Sequence, residues 1–135
     1  NIYIDYYSLY KKSKYEDEFI KVEQEASELP WVKIFTQKPF KELSDCDEQT
    51  RAHLFEAMMM TERAMLKFYK PAKINIASFG NYVPHVHIHV IARFKDDKYF
   101  PQSVWGEVQR ESSLNLPQFE QFAKILATEL KDKFC

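Results

Sequence analysis

A run of seven residues in the second half of the chain, His85 to Ile91, alternates histidine with aliphatic residues. Strict alternation over this length is typical of a β-strand, because successive side chains of a strand point to opposite faces of the sheet. His85, His87 and His89 would then share one face, and the aliphatic residues between them would face the core. The chain has only four histidines, so three on one strand face indicate chemistry rather than packing.

The size and charge of the chain limit what it can be. Its 135 residues, 45% of them hydrophobic, suffice for one domain with a real core but not for two. Nineteen basic and twenty acidic residues leave a net charge of −1, so we expect neither nucleic acid nor a membrane surface as a partner.

The N-terminal stretch does not resemble a targeting segment. It is too polar and too rich in tyrosine for a signal peptide, and no run approaches the ~20 apolar residues of a membrane span. We therefore expect a cytoplasmic protein. The chain begins at Asn1 rather than methionine, which leaves open whether further residues precede it. Cys46 and Cys135 have no metal-ligand spacing, and two reduced thiols are favoured over a disulfide.

The first half of the chain predicts an arm, a hairpin and a helix. Residues 1–16 are rich in tyrosine and charge without a clean period, and we interpret them as an N-terminal arm or lead-in strand. Residues 19–35 read as two strands around a turn. Asp45 and Glu48 have the spacing of a capping box, and helical spacing of apolar residues follows over 47–69.

The second half predicts two strands and a helix. Residues 73–79 alternate as a strand, and a turn leads into the histidine strand, 85–94. A C-terminal helix is predicted within 111–135, with Pro117 in its first turn. The fold class is therefore α+β, an antiparallel sheet of about five strands with two main helices, in a single domain spanning 1–135.

One chemistry that the histidines could serve is metal binding. Neighbouring members of the run are ~6.6 Å apart along a strand and could share one ion, but the outer pair is ~13 Å apart. A third ligand would have to come from elsewhere, and Asp96, Asp97 and Glu107 are the available candidates. A metalloprotein built on His85 and His87 is thus one alternative.

Phosphate chemistry fits the pattern better. A neutral imidazole is a competent nucleophile near pH 7, and clustered imidazoles disfavour one another's protonation. The turn before the strand offers phosphate donors in the backbone N–H groups of Gly80 and Asn81, and the Asn75 and Asn81 side chains are further candidates. Gly80 is one of only two glycines, which indicates a special backbone conformation or a close ligand there.

These residues resemble the histidine triad (HIT) family. Its signature, His-φ-His-φ-His-φ-φ with φ apolar, is matched at every position of 85–91, and the Gly-Asn-x-Val-x lead-in is matched by 80–84. The tail Asp-x-x-x-Pro-x-x-Val-Trp-Gly is similar to a bacterial branch of HIT-like hydrolases, related to diadenosine polyphosphate hydrolases. The resemblance covers roughly residues 19–110.

The resemblance implies a role for each histidine. His87 would attack the α-phosphate of a nucleotide derivative and form a nucleotidyl-histidine that water then hydrolyses. His89 would hydrogen-bond the phosphate and assist the leaving group, and His85 would orient the network. Three further residues would hold phosphate oxygens: Gly80, Asn81 and Asn75.

The resemblance also implies the partners. The substrate would be a purine nucleoside phosphate derivative, such as a phosphoramidate, an adenylated amine or a diadenosine polyphosphate. No cofactor or metal is implied, and the protein would be a homodimer whose sheets join side by side. Base recognition is expected from apolar residues of the hairpin, around 31–35.

The chain departs from the family pattern at positions around the three histidines. The loop 36–40 lacks the histidine that many members carry there, and Tyr82 replaces a small hydroxyl residue. Arg93 is interpreted as either a phosphate neighbour or a surface charge, and His53 as a solvated surface residue. These departures keep a second alternative open, a nucleotide-binding HIT-fold protein with weak or no catalysis.

Overall fold

The computed structural model describes residues 12–135. Within that range the strands are β1 (Tyr15–Glu16), β2 (Ile20–Gln24), β3 (Trp31–Thr36), β4 (Lys73–Ala77) and β5 (His87–Arg93), and the α-helices are α1 (Glu48–Tyr69) and α2 (Phe119–Phe134). The strands form one antiparallel sheet in the order β1-β2-β3-β5-β4. The predicted α+β fold, with about five strands and two main helices, is confirmed. Residues 1–11, most of the predicted N-terminal arm, lie outside the described residues.

One face of the sheet packs against both helices and forms one side of the hydrophobic core. Alternate side chains of the central strands, including Val32, Ile34, Ile88 and Val90, are buried in a single cluster with both helices. Helix α1 packs on β3 and β5, and α2 packs on α1. Since side chains alternate along a strand, His87 and His89 must lie on the opposite face. Neither described helix carries an apolar stretch long enough for a membrane crossing.

The start of α1 differs from the prediction. Asp47, not Asp45, is the N-cap residue, and its carboxylate accepts a hydrogen bond from the Thr50 N–H at 3.1 Å. Asp45 instead forms a capping box with Glu42 around a short 3-10 helix, Leu43–Asp45. That turn uses Asp45 before α1 begins, so the capping-box prediction was wrong by one turn.

The site-bearing strand is shorter than predicted, and so is α2. β5 begins at His87 rather than residue 85, because the Val86 N–H is bonded to the Phe40 carbonyl in a loop. β4 ends at Ala77 rather than residue 79. α2 begins at Phe119, after Pro117, because the preceding segment is held against residues 96–98 by bonds such as Gln109 N–H to the Lys98 carbonyl.

His53 is not the solvated histidine that was expected. Its Nε2 lies 2.7 Å from the Asp17 carboxylate, and its side chain is 11% exposed. Its ring is stacked on Phe134 and tilted against Phe19. The residue therefore joins α1 to the β1–β2 turn and to the end of α2. Cys46 and Cys135 are both free, as expected, the first buried and the second exposed.

Candidate active site

The β3–β5 register places two histidines of the triad at the centre of the sheet. His87 lies opposite Phe35 and His89 opposite Lys33, with Ala77 of β4 on the other side of His89. The two imidazole centroids are 5.0 Å apart, and each residue is 8% exposed. The strand pairing thus brings two nearly buried imidazoles together on the face away from the helices.

Hydrogen bonding shows which nitrogen carries the proton when the His87 ring is neutral. Its Nδ1 lies 2.7 Å from the backbone carbonyl of His85. A carbonyl oxygen can only accept, so Nδ1 carries the proton and Nε2 carries the lone pair of the neutral ring. The ring is stacked on Phe35, with centroids 4.7 Å apart at 23°. Nε2 is therefore the ring nitrogen without a hydrogen-bond partner among the described residues, and the stacked ring holds it in one orientation.

His89 is neutral for two physical reasons. Burial lowers its pKa to about 4, with smaller contributions from His87 and Lys33. Its Nδ1 accepts a hydrogen bond from the indole N–H of Trp31 at 2.9 Å. Because an indole nitrogen only donates, the proton of neutral His89 is on Nε2. His89 thus presents an Nε2–H donor beside the His87 ring.

His85 has a different position. It precedes β5, and its Nε2 donates to the Thr36 carbonyl at 2.6 Å. Its ring meets Phe35 edge-on, with centroids 5.3 Å apart. His85 therefore acts on His87 through its own backbone carbonyl rather than by joining the imidazole pair.

Both histidines of the pair line a cavity of about 300 Å³. The other lining residues are Phe79, Gly80, Asn81, Tyr82, Val83 and Trp105. Gly80 has φ +92°, a conformation that side chains rarely adopt, and it turns the chain back over His87. An adjoining cavity of about 420 Å³ also reaches His87 and is lined partly by Lys41, Ser44 and His85.

Asn75 lies on the same sheet face, outside that cavity lining. It is opposite Ile91, one alternate position from the Ala77–His89 pair. Its amide oxygen accepts a hydrogen bond from Arg93 at 2.8 Å. This bond fixes which way the amide points and leaves its NH₂ group as a donor.

Arg93 is not a surface charge. It is 2% exposed and forms a two-pronged ion pair with Asp97, at 2.9 and 3.0 Å. It also donates to the Gln102 carbonyl. The surface-charge interpretation of Arg93 was wrong, because its charge is buried and paired with Asp97, and the phosphate-neighbour interpretation stays a prediction.

Asp97 organises the segment that brings Trp105 to the site, here called the Trp105 loop (residues 94–106). Burial would raise the pKa of Asp97, but hydrogen bonds from Arg93 and from backbone N–H groups, including those of Phe94 and Tyr99, lower it to about 2. The loop places the centroid of the Trp105 ring 5.3 Å from that of His89 and 4.8 Å from that of Phe79.

Within residues 12–135, no three His, Cys, Asp or Glu side chains converge as metal ligands.

Sequence reasoning missed the role of the aromatic residues. Trp31 and Phe35, expected near a base, instead contact His89 and His87 directly. Their alternation on β3 was a usable signal, but it needed the register with β5. Tyr82, which replaces a small hydroxyl residue of the family pattern, lines the cavity and is fully exposed. The fold and the site together define a small α+β domain with two adjacent histidines lining one cavity.

The protein belongs to the histidine triad family. The family model described as the HIT domain matches residues 14–96, more than half of the chain. Proteins of this family are generally nucleotide hydrolases or transferases and bind nucleotide substrates. A comparison with curated proteins finds no match.

Solved structures of bacterial HIT proteins share the fold. A histidine triad protein from Bradyrhizobium japonicum is 28% identical, with a TM-score of 0.69, and the match covers 92% of this chain and 90% of that one. A histidine triad protein from Marinobacter aquaeolei is 23% identical over the same shares, with a TM-score of 0.70. One from Sinorhizobium meliloti is 24% identical, with a TM-score of 0.68, over 89% of this chain and 87% of that one.

Proposed function

We propose that the protein cleaves a phosphoanhydride or phosphoramidate bond at the α-phosphate of a purine nucleoside derivative. The observation that carries this proposal is the hydrogen bond from His87 Nδ1 to the His85 carbonyl. It leaves the Nε2 lone pair on a ring that lines the cavity. A pre-oriented neutral imidazole of this kind is suited to nucleophilic catalysis.

The reaction would run in two steps. In the first, the His87 Nε2 lone pair forms a bond to the α-phosphorus, and the bond to the leaving group breaks with its electron pair. In the second, water attacks the same phosphorus, the N–P bond breaks, and His87 recovers its lone pair while a proton passes to solvent. The product is the nucleoside monophosphate, and splitting one displacement into two is the usual benefit of covalent catalysis.

Neutral donors would hold the phosphate during both steps. The Nε2–H of His89 and the backbone N–H groups of Gly80 and Asn81 are the candidates that line the cavity. The NH₂ group of Asn75, fixed by Arg93, is a further donor on that face. Oriented donors of this kind stabilise charge that develops on phosphate oxygens.

Mass spectrometry after a rapid quench tests the proposed intermediate. Incubation with diadenosine tetraphosphate or adenosine 5′-phosphoramidate should add one nucleotidyl group to a peptide containing His87. His87→Ala should abolish both the adduct and turnover, whereas His53→Gln, a substitution far from the cavity, should retain both. Turnover without an adduct on His87 would rule out this nucleophile.

A binding protein with little catalysis is the second candidate function. It is favoured by the absence of a histidine from loop 36–40 and by Tyr82, which stands in place of a small hydroxyl residue and is fully exposed. Calorimetry with adenosine monophosphate distinguishes the two functions. Micromolar binding together with no turnover of either substrate would support the binding protein.

We further propose that the active form is a homodimer joined side by side. β4 is an edge of the sheet, and α1 exposes a stripe of apolar residues, Phe55, Met59 and Leu66. At 100° per residue these three lie within about 40° of one another around the helix. Sedimentation should give twice the chain mass, and Met59→Lys should give monomers.

The two free thiols suit a reducing compartment such as the cytoplasm.

A further inference from the structure

Trp31 is placed by the strand register to reach His89. It lies opposite Ile91, two residues beyond His89 on β5, so the two side chains are diagonal neighbours on one sheet face. Diagonal neighbours are ~7–8 Å apart at the backbone, within reach of an aromatic side chain. The indole Nε1 lies 2.9 Å from His89 Nδ1, and the rings meet at 70°.

This hydrogen bond discriminates between the states of His89. The indole N–H can only donate, so the bond exists only when Nδ1 carries a lone pair. Protonation of Nδ1 would break the bond and oppose two N–H groups at short range. The bond therefore favours the neutral ring with its proton on Nε2.

We propose that Trp31 is a positioning residue that holds His89 as a neutral Nε2–H donor toward the cavity. This inference rests on the proposed function for the part that His89 plays in the reaction. It assigns His89 a hydrogen bond to the phosphate or leaving atom, and not a proton relay through its second nitrogen. The leaving group then takes its proton from solvent. The absence of a histidine from loop 36–40 agrees with this assignment, because Nδ1 is already occupied.

Other groups around His89 contribute to its state. His87 on β5 and Lys33 on β3 disfavour the cation, and Glu25, which is ion-paired to Lys33 at 3.1 Å, favours it. Ala77 on β4 is uncharged. The Trp105 ring meets His89 at 76° without a hydrogen bond to it. Trp105 is thus a matched control, since it is an indole against the same imidazole.

Side-chain ¹⁵N NMR tests the inference directly in the full chain. In the unmodified protein, Nδ1 of His89 should be unprotonated at pH 7. Trp31→Phe keeps an aromatic ring but removes the N–H, and it should raise the titration midpoint of His89 by about one pH unit. Trp105→Phe, which removes an indole that makes no hydrogen bond to His89, should leave the proton on Nε2.

Kinetics supply a second readout. Trp31→Phe should lower kcat by about tenfold, the loss expected for one hydrogen bond, with little change in KM. Protonated Nδ1 in the unmodified protein, or the same His89 midpoint in Trp31→Phe, would overturn the inference. The NMR result does not depend on turnover, so the absence of a His87 adduct would count against the proposed function alone.

Discussion

At the residue scale, the site depends on ring nitrogens whose partners can only donate or only accept. The His85 carbonyl accepts from His87, and the Trp31 indole donates to His89. The two imidazoles are therefore held in opposite tautomers, with a lone pair on one Nε2 and a proton on the other. Their neighbours thus give two residues of the same type different roles in hydrogen bonding, an acceptor at one Nε2 and a donor at the other.

The lowered pKa of His89 predicts an acid-sensitive contribution to stability. The pKa is about 4 in the folded protein against about 6.5 when unfolded, so the unfolded chain binds more protons between these values. The contribution is present above pH 6.5 and is lost as the pH falls toward 4. It amounts to about 3 kcal/mol.

Urea unfolding of the native protein and of His89→Gln over this range checks the prediction. As the pH falls, the free energy of unfolding of the native protein should decrease relative to that of His89→Gln. A difference that does not change with pH would contradict it, because every other titrating group is common to both.

Gly80 is the second residue-scale prediction. Its φ of +92° lies in a region that costs a side-chain-bearing residue about 1–2 kcal/mol. Gly80→Ala should therefore shift the turn away from the phosphate position and weaken binding of adenosine monophosphate by about tenfold. Calorimetric titration measures the change, and unchanged affinity would show that the turn does not contact the nucleotide.

At the element scale, the Trp105 loop is held by one buried ion pair. Arg93 at the end of β5 binds Asp97, the Gln102 carbonyl and Asn75 together. A loop with this anchor can present an indole to His89 in a fixed position. Arg93 also connects β4, which carries Asn75, to the loop that lines one side of the cavity through Trp105.

Removing the carboxylate should be severe. Asp97→Asn leaves the Arg93 charge buried without a partner, and the expected loss is about 3–5 kcal/mol of stability. Asp96→Asn, at the exposed neighbouring position, should change stability by less than about 0.5 kcal/mol. Chemical denaturation measures both variants. Equal effects would mean that the ion pair is not what holds the loop.

The sequence predicts some of these features and not others, for physical reasons. Alternation over 85–91 correctly placed Ile88 and Val90 in the core and the imidazoles on the other face. The Arg93–Asp97 pair has no sequence signal, because a spacing of four residues has meaning on a helix and here lies in a loop. The Trp31–His89 bond joins residues 58 apart in the chain, so it required the strand register.

At the scale of the whole molecule, one carboxylate joins distant parts of the chain. Asp17, in the β1–β2 turn, accepts hydrogen bonds from Tyr15, from the backbone N–H groups of Phe19 and Ile20, and from His53 of α1. Burial opposes ionisation there, but these donors lower its pKa below the usual value. The edge of the sheet is thereby tied to both helices.

Asp17→Ala should cost about 2–4 kcal/mol, because several donors lose their acceptor in a nearly buried place. Glu18→Ala, next to it and exposed, should be close to neutral. Thermal unfolding followed by circular dichroism compares them. An unchanged melting temperature for Asp17→Ala, with only local fraying near residue 17, would show that the Asp17 hydrogen bonds do not contribute to cooperative unfolding.

The two indole rings that contact His89 have a consequence for the fluorescence of the protein. The protein contains two tryptophans, and both Trp31 and Trp105 have their rings against that one imidazole. All of its indole fluorescence therefore originates from rings whose centroids lie 5.7 and 5.3 Å from that of His89. An unlabelled sample therefore carries its own spectroscopic probe, and we expect ligand entry and a change of charge on His89 each to alter the emission of the whole molecule.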